Sequence, residues 1–205
     1  AGLPERWLEA AELEWIGNRG ECRQQMVWFR DLARDPGRRS ATVFAAGATE
    51  PRTVHGDARR EVATAEVLGR YVFEPHAAIL AADLTGVLAD QHALRCVSPG
   101  IAYLTGDQTL DDPALACFEV TEVLPLDPKH LREAIRVRAI GSLEVKKRGV
   151  KIDPEEVRKQ IHPRGDHQAT LIITPLKKKI VAILAQRVGS APEHVAADSE
   201  ADAAE

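Results

Sequence analysis

The sequence predicts an α+β fold: mixed small sheets with packed helices, ending in a C-terminal β-α-β-α-β-β subdomain. Three observations carry this. Between Cys117 and Ala185, apolar segments of strand length alternate with two helix-like segments over short links. Both helix-like segments open on Asp-Pro, at Asp127-Pro128 and Asp153-Pro154, a side-chain cap followed by proline at the first helical position. A chain of 205 residues can also bury roughly 70% of its unfolded surface, so it needs no disulfide staples. With 44% apolar and 28% charged residues, it is not a disordered chain, a collagen or a coiled coil. The expected organisation is linker strands and a helix over 1–112, an α+β domain over 113–188 and a disordered acidic tail over 189–205.

Taken in order, Glu12–Ile16 and Glu21–Phe29 read as strands joined by the turn-rich Gly17-Asn18-Arg19-Gly20. The second ends in Met26, Val27, Trp28 and Phe29, a run that predicts burial on both faces. Asp35-Pro36-Gly37 is a turn and Ala41–Ala45 a short strand. Glu50 to Gly69 lacks periodicity and reads as a mobile loop. Tyr71 to His76 leads into a helix over Ala77–Ala89, where Ile79, Leu80, Leu84, Val87 and Leu88 recur at helical spacing, with Pro75 or His76 opening it. Gly100–Thr105 is a strand stopped by Gly106-Asp107. Cys117–Leu124 is another, and its imperfect alternation predicts a bulge or full burial.

The helix from Asp127 runs to about Ala139 and Gly141 ends it. Leu143–Lys147 is a strand with Leu143 and Val145 on one face and Glu144 and Lys146 on the other. Asp153 and Glu156 are spaced as a capping box, and Val157 and Ile161 lie one turn apart behind it. Ala169–Thr174 and Lys179–Ala185 form a hairpin around Pro175-Leu176-Lys177-Lys178.

The net charge of −4 conceals a segregation: Lys129 to Arg187 carries +9, residues 1–128 carry −8 and the last eighteen residues carry −5. A polyanion partner is therefore open to the C-terminal third, although the whole chain is acidic. Cys22, Cys96 and Cys117 cannot pair fully and form no zinc clip, so they read as free thiols of a reducing cytosol. No apolar run reaches the roughly 18 residues of a membrane span, and Ala1 to Glu14 is no signal peptide, so a cytoplasmic protein without a membrane partner is expected. The first residue is not Met, which reads as a processed chain or a piece of a longer one.

No glycine-rich nucleotide loop, P-loop, G-x-S-x-G or H-E-x-x-H occurs. Glu74-Pro75-His76 offers an acid/base pair on paper, but its context, strand then proline then apolar helix, is that of a structural corner. A self-contained hydrolase on Glu74 and His76 has no nucleophile to support it. Asp90, His92 and Cys96 match no standard metal spacing, so no metal is expected.

The cationic residues stand out. Lys146, Lys147 and Arg148 end a strand, Gly149 follows, and Lys151 comes next; Arg164 sits in the turn before His167, and Lys177, Lys178 and Lys179 in the last hairpin. Alternation puts Lys146 and Arg148 on one face and Lys147 on the other. All eight are candidate phosphate contacts, giving affinity without sequence reading. A solvated basic face that guards a sheet edge is the competing explanation.

The run Ile140 to Gly149, with Asp153-Pro154-Glu155, Arg164-Gly165-Asp166 and Ala169-Thr170-Leu171, resembles the THUMP-like domain of a bacterial family of class I S-adenosylmethionine-dependent methyltransferases. Glu14-Trp15-Ile16, Gly37 to Thr42, Tyr71 to Pro75 and Pro99 to Thr105 resemble that family's region after the catalytic domain, so the likeness covers Leu13 to Arg187. The resemblance implies a C-terminal portion whose catalytic domain, with its S-adenosylmethionine, lies before Ala1; no cofactor is expected on this chain itself. THUMP domains bind RNA in tRNA-modifying enzymes, so RNA, with tRNA first, and the N-terminal methyltransferase domain are the implied partners. The alternative is a structural or protein-interaction module without nucleic-acid binding.

Overall fold

Arg19 and Gly20 both hold positive φ, 50° and 80°, the backbone of a tight hairpin whose twist suits the strands it joins. They link β1 (Ala11–Asn18) to β2 (Glu21–Phe29) in the computed structural model, which describes residues 5–58 and 60–189. A short helix, α1 (Glu5–Ala10), precedes β1. β3 (Arg39–Phe44) pairs parallel to β1, and β4 (Arg52–Gly56) antiparallel to β3, giving a four-stranded sheet in the order β2-β1-β3-β4. The strand β4 lies inside the stretch expected to be a mobile loop. Only Val54 and Gly56 of it are buried, so an edge strand this short leaves almost no hydrophobic signal.

β2 also corrects its expectation. It is the other edge of that sheet, and Met26, Val27 and Trp28 are half-buried while Phe29 is 36% exposed. Four apolar residues in a row mimic a doubly covered strand, yet among the described residues one side of β2 has no neighbouring strand.

The second sheet has seven strands in the order β6-β7-β5-β8-β11-β10-β9. They are β5 (Tyr71–Pro75), β6 (Arg95–Cys96), β7 (Leu104–Gly106), β8 (Leu115–Pro125), β9 (Ile140–Lys147), β10 (His167–Leu176) and β11 (Lys179–Val188). Pairing of β5 with β8 makes this sheet continuous across residues 112 and 113. β8 bulges where Leu184 faces Glu122 but Ala185 faces Val120, which leaves Thr121 as the extra residue. The strand expected at Gly100–Thr105 shrinks to β7, because Ile101 and Tyr103 leave the ladder to pack on the sheet's face.

The helix expected over Ala77–Ala89 is two helices, α2 (Ala77–Ala81) and α3 (Thr85–Gln91), broken at Asp83 with φ 60°. α4 (Pro128–Val137) and α5 (Pro154–Ile161) start on Asp127 and Asp153 as expected, each carboxylate accepting first-turn N–H groups. Glu156 faces Lys159 at 3.3 Å instead of returning to the cap. α4 ends one turn before Gly141, through Ala139 at φ 49°. Gly141 belongs to β9 and serves a different need: a Cβ there would run into the carbonyl oxygen of Gly165.

Apolar residues fall into three cores. α2 and α3 cover the four-stranded sheet and Phe73, and α4 and α5 cover Leu171, Ile173 and Leu184. The third core, Val72, Tyr103, Phe118, Ile172 and Ile183, lies on the opposite face of the seven-stranded sheet, and among the described residues no helical residue joins it. Ile172 and Ile173 thus bury in opposite directions, which explains the unbroken apolar run of β10. Replacing Ile172 by Ala should cost about 3 kcal/mol, read as a shift in the urea midpoint. No helix among the described residues is long and apolar enough to cross a membrane. The expected acidic tail lies outside the described residues beyond Gly189.

Candidate nucleic-acid interface

The face without helices has a polar lid. Lys146 Nζ lies 2.9 Å from Glu74 Oε2 and 3.1 Å from Glu144 Oε1, and Arg148 Nη2 donates to Glu74 Oε1 at 3.1 Å. Arg187 Nη2 donates to Glu144 Oε2 at 3.2 Å. The stems of these cations cover aromatic rings: Arg187 sits 4.6 Å from the Phe118 ring centroid and Arg148 5.2 Å from that of Tyr103. Long charged side chains thus close the third core from above.

The Glu74 contacts also reveal the sheet's shape. β5 and β9 are four strand spacings apart in the ladder, about 19 Å if the sheet were flat, more than a Lys and a Glu side chain can bridge. The sheet therefore curls until the end of β9 meets the end of β5. Gly149, just beyond β9, lies so close to Ile101 that a Cβ would collide with it.

Burial alone would raise the Glu144 carboxyl, but Lys146 and Arg187 outweigh it and hold its pKa below the ordinary value. Burial drives the Tyr103 phenol upward, with the Glu74 charge adding to it. Arg148 Nε and Thr174 Oγ1 are buried there without a hydrogen-bond partner among the described residues, and the buried Tyr103 hydroxyl faces the Arg148 guanidinium.

The eight cations named from the sequence are therefore divided. Lys146 and Arg148 do share a face, but that face is the inside of the curl, and Glu74 takes both up. Lys147 and Lys151 are exposed, as are Lys177, Lys178 and Lys179. These five lie toward one end of the sheet: β9 runs parallel to β10 with Lys147 beside Ile173, the hairpin tip lies a few residues further along β10, and Lys151 follows Gly149, which packs against Pro175. None of the five has an ion pair among the described residues. Arg164 is exposed at the other end, separated by the ten residues of β10, about 30 Å of strand. An open groove of about 750 Å³ lies between Gly141–Glu144 and α5, but its Arg158 and Lys159 are paired with Glu155 and Glu156.

Glu74 and His76 point to different tasks. His76 Nδ1 accepts the Ala78 N–H at 3.1 Å and caps α2, and burial lowers its pKa, so it is neutral at pH 7. Glu74 reaches across to β9. Its partners lie more than seventy positions away, so no local pattern announces them.

His92 meets neither Asp90 nor Cys96 as a ligand set. It pairs with Asp112 at 2.8 Å, and Asp112 also accepts from Arg52 Nε at 3.1 Å. Among the described residues no group of three or more His, Cys, Asp or Glu could hold a metal. Burial would raise the Asp112 pKa, but the Ala114 N–H, His92 and Arg52 outweigh it and keep it depressed. A depressed carboxyl stabilises the fold above its unfolded pKa, about 4, and that contribution is lost as pH falls through the folded value. Urea midpoints at pH 6 and pH 3 should therefore fall more steeply for the wild type than for Asp112→Asn.

Residues 115–187 match the family described as THUMP domain-like. The chain is 32% identical over 163 residues to uncharacterized S-adenosylmethionine-dependent methyltransferases from two strains of Mycobacterium tuberculosis, covering 80% of this chain and 44% of theirs. It superposes with a TM-score of 0.74 on the crystal structure of a putative methyltransferase from Porphyromonas gingivalis, at 19% identity, over 88% of this chain and 46% of that one, a likeness of fold. The chain thus spans less than half the length of the relatives it matches. Residues 115–187 are thus similar to the THUMP domain-like family, and the chain is similar to part of these S-adenosylmethionine-dependent methyltransferases.

Proposed function

We propose that this chain is the non-catalytic, RNA-recognising part of an S-adenosylmethionine-dependent methyltransferase, and that the cofactor and the chemistry belong to a catalytic domain outside it. The observation that carries the reading is the exposed group Lys147, Lys151, Lys177, Lys178 and Lys179, gathered at one sheet end of a chain whose net charge is −4. Such a group holds phosphates through released counterions. The THUMP-like match and the methyltransferase relatives favour an RNA substrate, and tRNA is the first to try. RNA modification in turn implies a cytoplasmic site of action.

The chain itself is poorly suited to the cofactor. The two longest helices among the described residues open on Asp-Pro with the carboxylate filling the N-terminus, and neither entry has the glycines that let a cofactor approach the backbone. Calorimetry should therefore detect no micromolar binding of S-adenosylmethionine to the 205-residue chain.

Gel shifts with tRNA at low and moderate salt test the RNA reading. Alanine at Lys147, Lys177, Lys178 and Lys179 together should weaken binding and flatten the salt dependence, by about 0.7 in slope for each lost single-strand phosphate contact. Equal affinity for the two proteins would remove it. The uptake of Lys146 and Arg148 by Glu74 favours the second reading, an interaction module whose basic residues serve the fold. Absence of any tRNA shift at low salt would leave that reading standing.

A further inference from the structure

We infer that the RNA held at this sheet end is a helical stem gripped by its phosphates, not an unpaired strand gripped by its bases; the inference rests on the RNA reading above. Proteins that hold single strands stack bases on aromatic rings or on planar guanidinium groups. Residues 113–188 contain one Phe, Trp or Tyr, Phe118, and it is fully buried beneath Lys146 and Arg187; of the three histidines there, His162 and His167 lie toward the other end of the sheet and His130 is bonded through Nδ1 to Asp127. The exposed rings of Trp7, Phe29 and Phe44 belong to α1 and the four-stranded sheet.

The guanidinium groups nearby are engaged within the fold. The five exposed cations on the two segments are lysines, compact charges without a planar face, Arg148 is turned inward onto Glu74 and Tyr103, and Arg132 of the neighbouring α4 donates its Nε to the Pro128 carbonyl. Apart from the cations themselves, these two segments carry no side chain that reads base edges. Lys147 to Lys151 and Pro175 to Lys179 include no Asn, Gln, Ser, Thr, Asp or Glu.

What remains is a set of point charges on rigid supports. Lys177 and Lys178 form a two-residue turn between ten-residue strands, and Lys147 is in the ladder beside them. Fixed charges suit a partner whose phosphates are also fixed. A duplex supplies this, and its two strands give a denser line of charge than one strand does. Recognition would follow the shape of the stem and ignore its sequence.

Fluorescence anisotropy with the 205-residue chain tests this, using three labelled RNAs: a stem-loop of about 16 base pairs, the same stem with scrambled pairs, and an oligouridine of equal length. Titrations at about 50 and 200 mM salt should show both stems bound alike, and about tenfold more tightly than oligouridine at the lower salt. Lys177→Ala, Lys178→Ala and Lys179→Ala combined should remove most of that preference. Oligouridine bound as tightly as the stems would overturn the inference while leaving the RNA reading intact, and so would a marked preference for one stem over its scrambled copy. Binding to none of the three at low salt removes the RNA reading, and the stem inference with it.

Discussion

Alanine at Gly141 should destabilise the chain by about 3 kcal/mol or more, enough to deplete soluble protein on expression. Gly141 in β9 and Gly165 before β10 touch backbone to backbone, and a Cβ on Gly141 would occupy the place of the Gly165 carbonyl oxygen. A flexible side chain could move aside at little cost, but this carbonyl cannot: His167, two residues on, is already bonded to Ala139. Gly165 is constrained in the same way, since its own Cβ would meet the Ala139 carbonyl oxygen. Gly165→Ala should match Gly141→Ala in cost, and exposed Ser142→Ala should change stability by less than about 0.5 kcal/mol. Urea unfolding of the three variants decides it. A Gly141→Ala protein within about 1 kcal/mol of wild type would show that the two segments can part freely.

Glu74→Ala should cost about 2–3 kcal/mol. Removing one member of a fully buried ion pair costs about 3–5 kcal/mol, because the partner charge is left unpaired. Here Glu74, Lys146 and Arg148 side chains are 18%, 21% and 27% exposed, so water recovers part of that loss. The loss falls on the contact that closes the curled sheet. Lys146→Ala with Arg148→Ala should cost a comparable amount, since it uncovers Phe118 and Tyr103 and strands Glu74. Full exposure of these two cations would have limited that cost to about 0.5 kcal/mol. A double-mutant cycle between Glu74→Ala and Arg148→Met should give a coupling above about 1 kcal/mol. Additive losses would mean that the ion pair contributes nothing and that only packing is lost. For the same reason, variants of Lys146 and Arg148 are poor probes of RNA binding: any weakening would mix lost contacts with a loosened sheet.

Much of the fold was legible because its signals are local. Asp127-Pro128 and Asp153-Pro154 act within one helical turn, so their caps could be read directly. The order β-α-β-α-β-β followed from periodicity and link length over the C-terminal third. Charge segregation, too, is a sequence property, and it pointed to the end of the chain where the exposed lysines lie.

Elements that depend on what lies beside them were not legible. β4 carries too few buried residues to show a pattern, and the apolar end of β2 does not reveal that it is an edge. Gly141 looks like a helix stop from its neighbours in sequence, but its role comes from Gly165, twenty-four residues later. The division of the cations is the clearest case. Strand alternation correctly put Lys146 and Arg148 on one face and Lys147 on the other, but alternation cannot say which face looks inward. That depends on the curl of the sheet, set by pairing over residues 71–188, which carries Glu74 from β5 to the end of β9. The sequence by itself thus determined the helix caps, the succession of strands and helices along the last third and a local excess of positive charge. The tertiary structure alone decided which of those charges are neutralised within the fold and which remain free to meet a partner, because an ion pair forms wherever folding brings charges together, however far apart they are in the chain.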